Sequence, residues 1–296
     1  MNQALLRETA TSVVVTGTQV EVRPGRTLSV AHHPAPADSP HADTVVFFAH
    51  GGGGNKNQWR FQWRALADAG YGLVAWDFLG HGDSPRPDPR HGGYRGEDTV
   101  ADYLAIFERY RRERNVLAAH SLGTGSTLAL LDRLEQHGRL HEVSAALLLG
   151  TQLERPVRRT PALPDWLLEW LKPIFARRFT RLAWHPTANP ALVAYESRLA
   201  RRNRMGTFKA IVSAAPWPGA ARLAALDVPI AVLSGDSDGV TLPAGGRALA
   251  AALPDATFDV LRDCGHQLML ERPDDVDRVL FELLTLLERA AASVRG

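Results

Sequence analysis

Ser121 lies in the stretch Ala119-His120-Ser121-Leu122-Gly123, between the apolar run Asn115 to Ala119 and a segment of helical character. A serine at a strand-to-helix junction is forced through a sharp bend, which tolerates only small residues two positions before and after it; Ala119 and Gly123 are both small. The helix start also offers unpaired N–H groups and a partial positive charge, suited to an anion forming on a bound molecule. The plainer reading is a serine that caps a helix. A serine hydroxyl is a weak nucleophile near neutral pH, so chemistry there needs a base and a group that orients the base. Arg262-Asp263-Cys264-Gly265-His266 follows the run Thr257 to Leu261, and Ser234-Gly235-Asp236-Ser237-Asp238-Gly239 follows Pro229 to Ser234. Loops after parallel strands of one sheet meet at one edge, so His266 and either carboxylate are placed to serve Ser121. A lone histidine is more often structural, and turn formation alone explains Asp-Gly.

Other chemistries compete for the same residues. The run His50-Gly51-Gly52-Gly53-Gly54 resembles a phosphate cradle, but it lacks the G-x-x-x-x-G-K-[ST] spacing. Gly123-Thr124-Gly125 lacks the third glycine of a dinucleotide site. Cys264 stands two residues from His266, yet not at a strand-to-helix bend, which disfavours a thiol nucleophile. His81 and Asp83 have the types of metal ligands, although turn formation accounts for both.

The elements that must position these residues follow an alternation of short apolar runs and helical segments, the pattern of a mostly parallel sheet covered on both faces. Val13 to Val15, Gln19 to Val22 and Leu28 to Ala31 read as a meander, and Thr44 to Ala49 and Gly72 to Trp76 as buried strands. Helices are expected over Gln58 to Ala69, Asp98 to Arg114, Ser121 to His137 and around Gly246 to Ala252. The last helix, after Pro273, carries Val276, Val279, Leu280, Leu283 and Leu287 as an apolar stripe facing the sheet. Gln152 to Leu226 breaks the rhythm: it is helical in character, carries Pro156, Pro161, Pro164, Pro173, Pro186 and Pro190 along with Trp166, Trp170, Trp184 and Trp217, and reads as an insertion.

With these landmarks in order, the sequence resembles the α/β-hydrolase superfamily. The chain order serine, acid, histidine is that of the family, and Ala119 to Gly123 is similar to its nucleophile elbow with alanine for the first glycine. The acid position after Gly235 selects Asp238 over Asp236. Gly265-His266 ahead of Glu271-Arg272-Pro273, Phe47 to Gly52, and Asp77-Phe78-Leu79-Gly80-His81-Gly82-Asp83-Ser84 also match family patterns. The resemblance implies an α/β-hydrolase fold, a mostly parallel doubly wound sheet, with the core in residues 1–151 and 227–296 and a helical cap in 152–226. It implies Ser121, Asp238 and His266 as catalytic residues, the Gly52 and Leu122 N–H groups as oxyanion donors with Gly53 as runner-up, and a hydrolase of a carboxylic ester or related acyl bond that needs no cofactor or metal; carbon–carbon hydrolase, lactonase, thioesterase or perhydrolase chemistry, or a ligand-binding relative without turnover, is the alternative. His50, Gly51, Gly53, His120, Trp166, Trp170, Trp184 and Trp217 are the candidates for contacting a small-molecule acyl substrate.

Composition sets the outer bounds. At 296 residues, with 45% hydrophobic and 22% charged residues, the chain has a globular composition long enough for one core plus an insertion. One cysteine excludes an internal disulfide and a cysteine-based zinc site. Arg7 and Glu8 stand where a signal peptide would be apolar, and no run is long enough to span a bilayer, so a cytoplasmic protein is expected. A net charge of +2 is too small for a nucleic-acid binder. Residues 152–226 nevertheless carry 13 Lys or Arg against 4 Asp or Glu. Either Arg198, Arg201, Arg202, Arg204 and Lys209 form a solvated helix face, or they meet anionic lipid or a negatively charged substrate.

Overall fold

The computed structural model describes residues 14–154 and 163–295. Eight strands form one sheet in the order β1-β2-β4-β3-β5-β6-β7-β8. They are β1 (Thr18–Arg23), β2 (Arg26–His33), β3 (Thr44–Ala49), β4 (Gly72–Trp76), β5 (Arg114–His120), β6 (Ala145–Leu149), β7 (Ile230–Gly235) and β8 (Ala256–Leu261). The β1–β2 and β2–β4 pairs are antiparallel and all others parallel. Strands β3 to β7 are almost continuously apolar because helices cover both of their faces.

Alternate side chains of β3 separate the two layers. Val45, Phe47 and Ala49 pack with Tyr103, Ile106 and Phe107 of α2 (Gly96–Tyr110) and Leu128, Leu131 and Leu134 of α3 (Leu122–Gln136). Val46 and Phe48 pack on the opposite face with Phe61 and Leu66 of α1 (Arg60–Asp68) and with the C-terminal helix. Between β6 and β7 the chain forms α4 (Asp165–Ala183), α5 (Pro190–Ala200), α6 (Met205–Ala214) and the short α7 (Ala220–Leu223). Helices α8 (Pro243–Ala252), α9 (Leu268–Glu271) and α10 (Pro273–Arg295) complete the fold. Along α10 the most buried line is Val276, Leu280 and Leu284, with Val279, Leu283 and Leu287 partly buried beside it.

Three sequence expectations are corrected. Val13 lies outside the described residues, and Val14 and Val15 form no strand; the Val15 amide instead donates to Asn57 Oδ1 at 3.0 Å. The second helix stops at Tyr110, because the Arg114 amide is already bonded to Asp43 O and its guanidinium to Thr44 at the start of β5. The segment from Lys56 enters α1 through a tight 3₁₀ turn, Lys56–Trp59, started by the Asn55 side chain.

The chain turns away from β3 to opposite sides, to β4 on one and β5 on the other. Loops leaving the carboxyl ends of β3 and β5 therefore diverge and leave a crevice, the place where open α/β sheets bind ligands. The loop after β3 is tied to the loop after β4 by a buried ion pair. Lys56 Nζ lies 2.7 Å from Asp77 Oδ2 and 2.9 Å from Asp83 Oδ2, and the Lys56 amide donates to Asp77 Oδ1. Burial alone would lower the Lys56 pKa, but Asp77 and Asp83 outweigh it and hold the ammonium above its usual pKa.

Lys56→Met leaves the Asp77 carboxylate buried without its cation and is expected to destabilise the protein by about 3 to 5 kcal/mol in urea unfolding. Adding Asp77→Asn should recover part of that loss. On α10, burial and the neighbouring Asp274 push the Asp277 carboxyl up to about 6 from 3.8, against a hydrogen bond from Gln62. Its neutral form fits the fold, so stability is lost as pH rises through that value. Asp277→Asn should therefore raise the unfolding free energy by on the order of 1 kcal/mol more at pH 7.5 than at pH 4, read by thermal melts across pH.

Candidate active site

Ser121 joins β5 to α3 with φ 50° and ψ −116°, a conformation that costs a non-glycine residue about 1 to 3 kcal/mol. Surrounding contacts enforce it. The Ser121 amide donates to Leu149 O at 2.9 Å, and its carbonyl accepts from Thr124 N and Thr124 Oγ1. A Cβ at position 123 would lie 2.6 Å from Ala49 O, and one at position 51 would lie 2.6 Å from His120 Nδ1, so both glycines are required for the loops to approach. The hydroxyl is thereby lifted out of α3 toward the crevice.

His266 arrives on the loop after β8. Its Nε2 is 2.9 Å from Ser121 Oγ, and its Nδ1 is 2.7 Å from Asp238 Oδ2 on the loop after β7. The carboxylate makes Nδ1 the protonated nitrogen and leaves the Nε2 lone pair to accept from the serine hydroxyl. Asp238 Oδ1 accepts from the amides of Val240 and Thr241, and Thr241 Oγ1 donates to Oδ2. Burial works to raise the Asp238 carboxyl, but the histidine and these hydrogen bonds prevail and hold it below the usual carboxylate range. Asp236 points elsewhere: its carboxylate receives the amides of Asp263 and Cys264 and so braces the loop that carries His266. The Cys264 thiol is fully buried, and burial pushes its pKa up, so it carries no thiolate near neutral pH.

The Gly52 and Leu122 amides donate to no other described residue, and the two residues adjoin beside Ser121. Gly53 differs: its amide donates to His81 Nε2 at 3.0 Å and its carbonyl accepts from Asn203. His81 thus serves the loop, held neutral by a pKa lowered by burial to about 4, while Asp83 pairs with Lys56.

Several residues expected to meet substrate do other work. His50 is buried and links Gly51 O to the Phe78 amide, which holds the loops after β3 and β4 together. His120, also buried, has Nε2 at 2.8 Å from the His266 carbonyl; a carbonyl only accepts, so His120 carries its proton there. Burial first, and then the charge of His266, lower its pKa to about 3. Trp184 is 8% exposed within the core, and Trp217 packs its ring on Gly125 of α3 while its Nε1 donates to Leu153 O. Trp166 and Trp170 stand 72% and 74% exposed on α4. A crevice beside Leu122 is lined instead by Phe78, Leu79, Ser126, Ile211 and Pro216. Thr241 and Lys56 escaped the sequence reading because a threonine three residues past an aspartate and a lysine in a glycine-rich loop carry no periodic signal. The His120 interaction was equally hidden, since its partner lies 146 residues away.

The helices between β6 and β7 grip this site. The carbonyls of Leu182 and Ala183, at the end of α4, accept the amides of Gly239 and His266, and Glu271 receives the His185 amide. Phe208 of α6 lies over Gly52 and Gly53. Arg60 pairs with Glu196 of α5 at 2.8 Å and stacks on Tyr195.

The chain is 29% identical over 246 residues to protein ABHD8 of Bos taurus, covering 82% of this chain and 56% of that protein. It thus spans about half the length of those curated relatives. It is 28% identical to the non-heme chloroperoxidase CPO-A1 of Kitasatospora aureofaciens, covering 82% of this chain and 92% of the relative. Among solved structures, the esterase EaEST of Exiguobacterium antarcticum superposes with a TM-score of 0.74 at 17% identity, over 92% of this chain and 99% of that one. Residues 46–279 match the alpha/beta hydrolase family, and with the eight-stranded, mostly parallel sheet in place, the chain belongs to that family.

Proposed function

We propose that the protein is a serine hydrolase that cleaves a carboxylic ester, or a related acyl bond, of a small to medium hydrophobic substrate through an acyl-enzyme. The observation that carries this reading is the hydrogen-bonded series Ser121 Oγ, His266 Nε2, His266 Nδ1 and Asp238 Oδ2 at 2.9 and 2.7 Å. As Ser121 Oγ bonds to the acyl carbon, its proton passes to His266 Nε2 and the carbonyl oxygen becomes an oxyanion. The free amides of Gly52 and Leu122 receive that charge, each worth about 2.7 to 4 kcal/mol in the transition state. Collapse breaks the bond to the leaving alcohol, which takes the proton from His266. Water, deprotonated by the same nitrogen, then releases the carboxylic acid and restores the serine.

In this reading the apolar side chains near Leu122, Phe78, Leu79 and Ile211, border the hydrophobic group of the substrate. In this reading residues 152–226 act as the cap, setting how large that group can be and fixing the histidine and acid loops through the end of α4.

A fluorophosphonate probe should label the wild-type protein at Ser121, and Ser121→Ala should abolish labelling. Labelling that persists in Ser121→Ala, or none in the wild type, overturns the reading. On p-nitrophenyl esters, Asp238→Asn should lower kcat by roughly 10⁴-fold with the fold intact by circular dichroism, since the histidine would hold the wrong tautomer. A panel of esters of increasing acyl length, run beside a lactone and a thioester, reads the bond and chain preference.

A further inference from the structure

Among the described residues large apolar side chains are seldom exposed, and those that are cluster. Among the described residues eight large hydrophobic side chains stand exposed, and five of them, Trp166, Trp170, Ile174, Phe175 and Leu182, belong to the single helix α4. Trp166, Trp170 and Ile174 are 72%, 74% and 62% exposed. The helix repeat puts them in line, at i, i+4 and i+8, and the same line continues through Arg177 and Arg181 at i+11 and i+15, with Arg178 alongside. All three arginines are exposed, and none pairs with an acid among the described residues. The opposite face of α4 is occupied: Leu168 is buried, Glu169 accepts the Met205 amide, and Lys172 Nζ donates to Arg201 O and Asn203 O. The helix is thus seated on α6 and presents outward a stripe that is aromatic in its first half and cationic in its second.

We infer that this outward face of α4 is a docking surface for an anionic lipid bilayer. Tryptophan with one apolar body and one N–H suits the headgroup boundary, and arginine beside it suits lipid phosphates. Charge decides between this occupant and a second copy of the chain. A two-fold pairing of the stripe would gather six arginines that lack acid partners of their own into one interface, whereas an anionic leaflet supplies the missing negative charge. The surrounding segment supports the same sign, since residues 152–226 hold 13 basic against 4 acidic residues. The inference thus puts the contact on α4, where basic and exposed aromatic residues coincide, rather than on Arg198, Arg201, Arg202, Arg204 and Lys209. Because no described helix is long and apolar enough to cross a membrane, the contact is peripheral. The C-terminal end of α4 is bonded to the loops carrying Asp238 and His266, so docking sets those loops at a fixed place relative to the lipid surface.

The test is sedimentation of the purified protein with vesicles of phosphatidylcholine alone or mixed with phosphatidylglycerol. The wild type should bind the anionic vesicles, bind the neutral ones far less, and dissociate as salt rises. Arg177→Glu/Arg178→Glu/Arg181→Glu should lower the partition coefficient by roughly a hundredfold. Trp166→Ser/Trp170→Ser should weaken binding to anionic vesicles at every salt concentration; thermal melts report whether each variant remains folded, and either variant suffices for the comparison. Equal binding of the wild type to both vesicles, no binding to either, or unchanged binding in a folded variant overturns the inference. So does a dimer, seen in sedimentation velocity without lipid, that the tryptophan changes dissolve, because the occupant would then be a second copy.

Discussion

The left-handed backbone of Ser121 is the constraint on which the candidate site rests. A serine at φ 50° is not stable on its own; it persists because β5 is paired on both sides, its amide is fixed to Leu149 O, and its carbonyl is fixed by Thr124. The strain turns the hydroxyl toward the crevice and leaves the Leu122 amide at the open end of α3. Close packing completes the arrangement, since Gly51 and Gly123 let the loop after β3 come within contact of the bend. Stability given up at one residue is thereby converted into a hydroxyl and an unpaired amide held side by side.

Around that bend, buried polar groups do the positioning. His50 and His81, with the Lys56 ion pair, hold the loops after β3 and β4 against each other, while His120 holds the backbone of His266. Burial keeps the pKa values of His50, His81 and His120 low, so the first two can accept hydrogen bonds from amides, which imidazolium cannot do. Histidines that look reactive in a sequence here serve as neutral struts, and among the described residues only His266 meets both a hydroxyl and a carboxylate.

Helices α4 to α6 join this scheme through the backbone. Two carbonyls at the end of α4 accept amides from the loops carrying Asp238 and His266, and Phe208 and Asn203 touch the glycine loop. A segment that departs from the strand-helix rhythm therefore contacts each loop that the proposed chemistry uses. Its outer side is dominated by α4, which runs through Pro173 and carries most of the exposed aromatic surface of the described residues.

The sequence by itself determined the alternation of strands and helices, the bend at Ser121, the loops bearing Asp238 and His266, and the family. All of these are local: they follow from apolar period, small residues at fixed offsets and chain order, which neighbouring residues encode. Tertiary structure alone decided what each long-range polar group does. That Asp236 braces the loop carrying His266, that Gly53 donates to His81, and that Trp184 faces the core while Trp170 faces outward depend on partners tens to hundreds of residues away. The physical reason is that periodicity records which side of an element is buried, but a hydrogen bond between loops is fixed only when packing of the whole sheet brings them within about 3 Å.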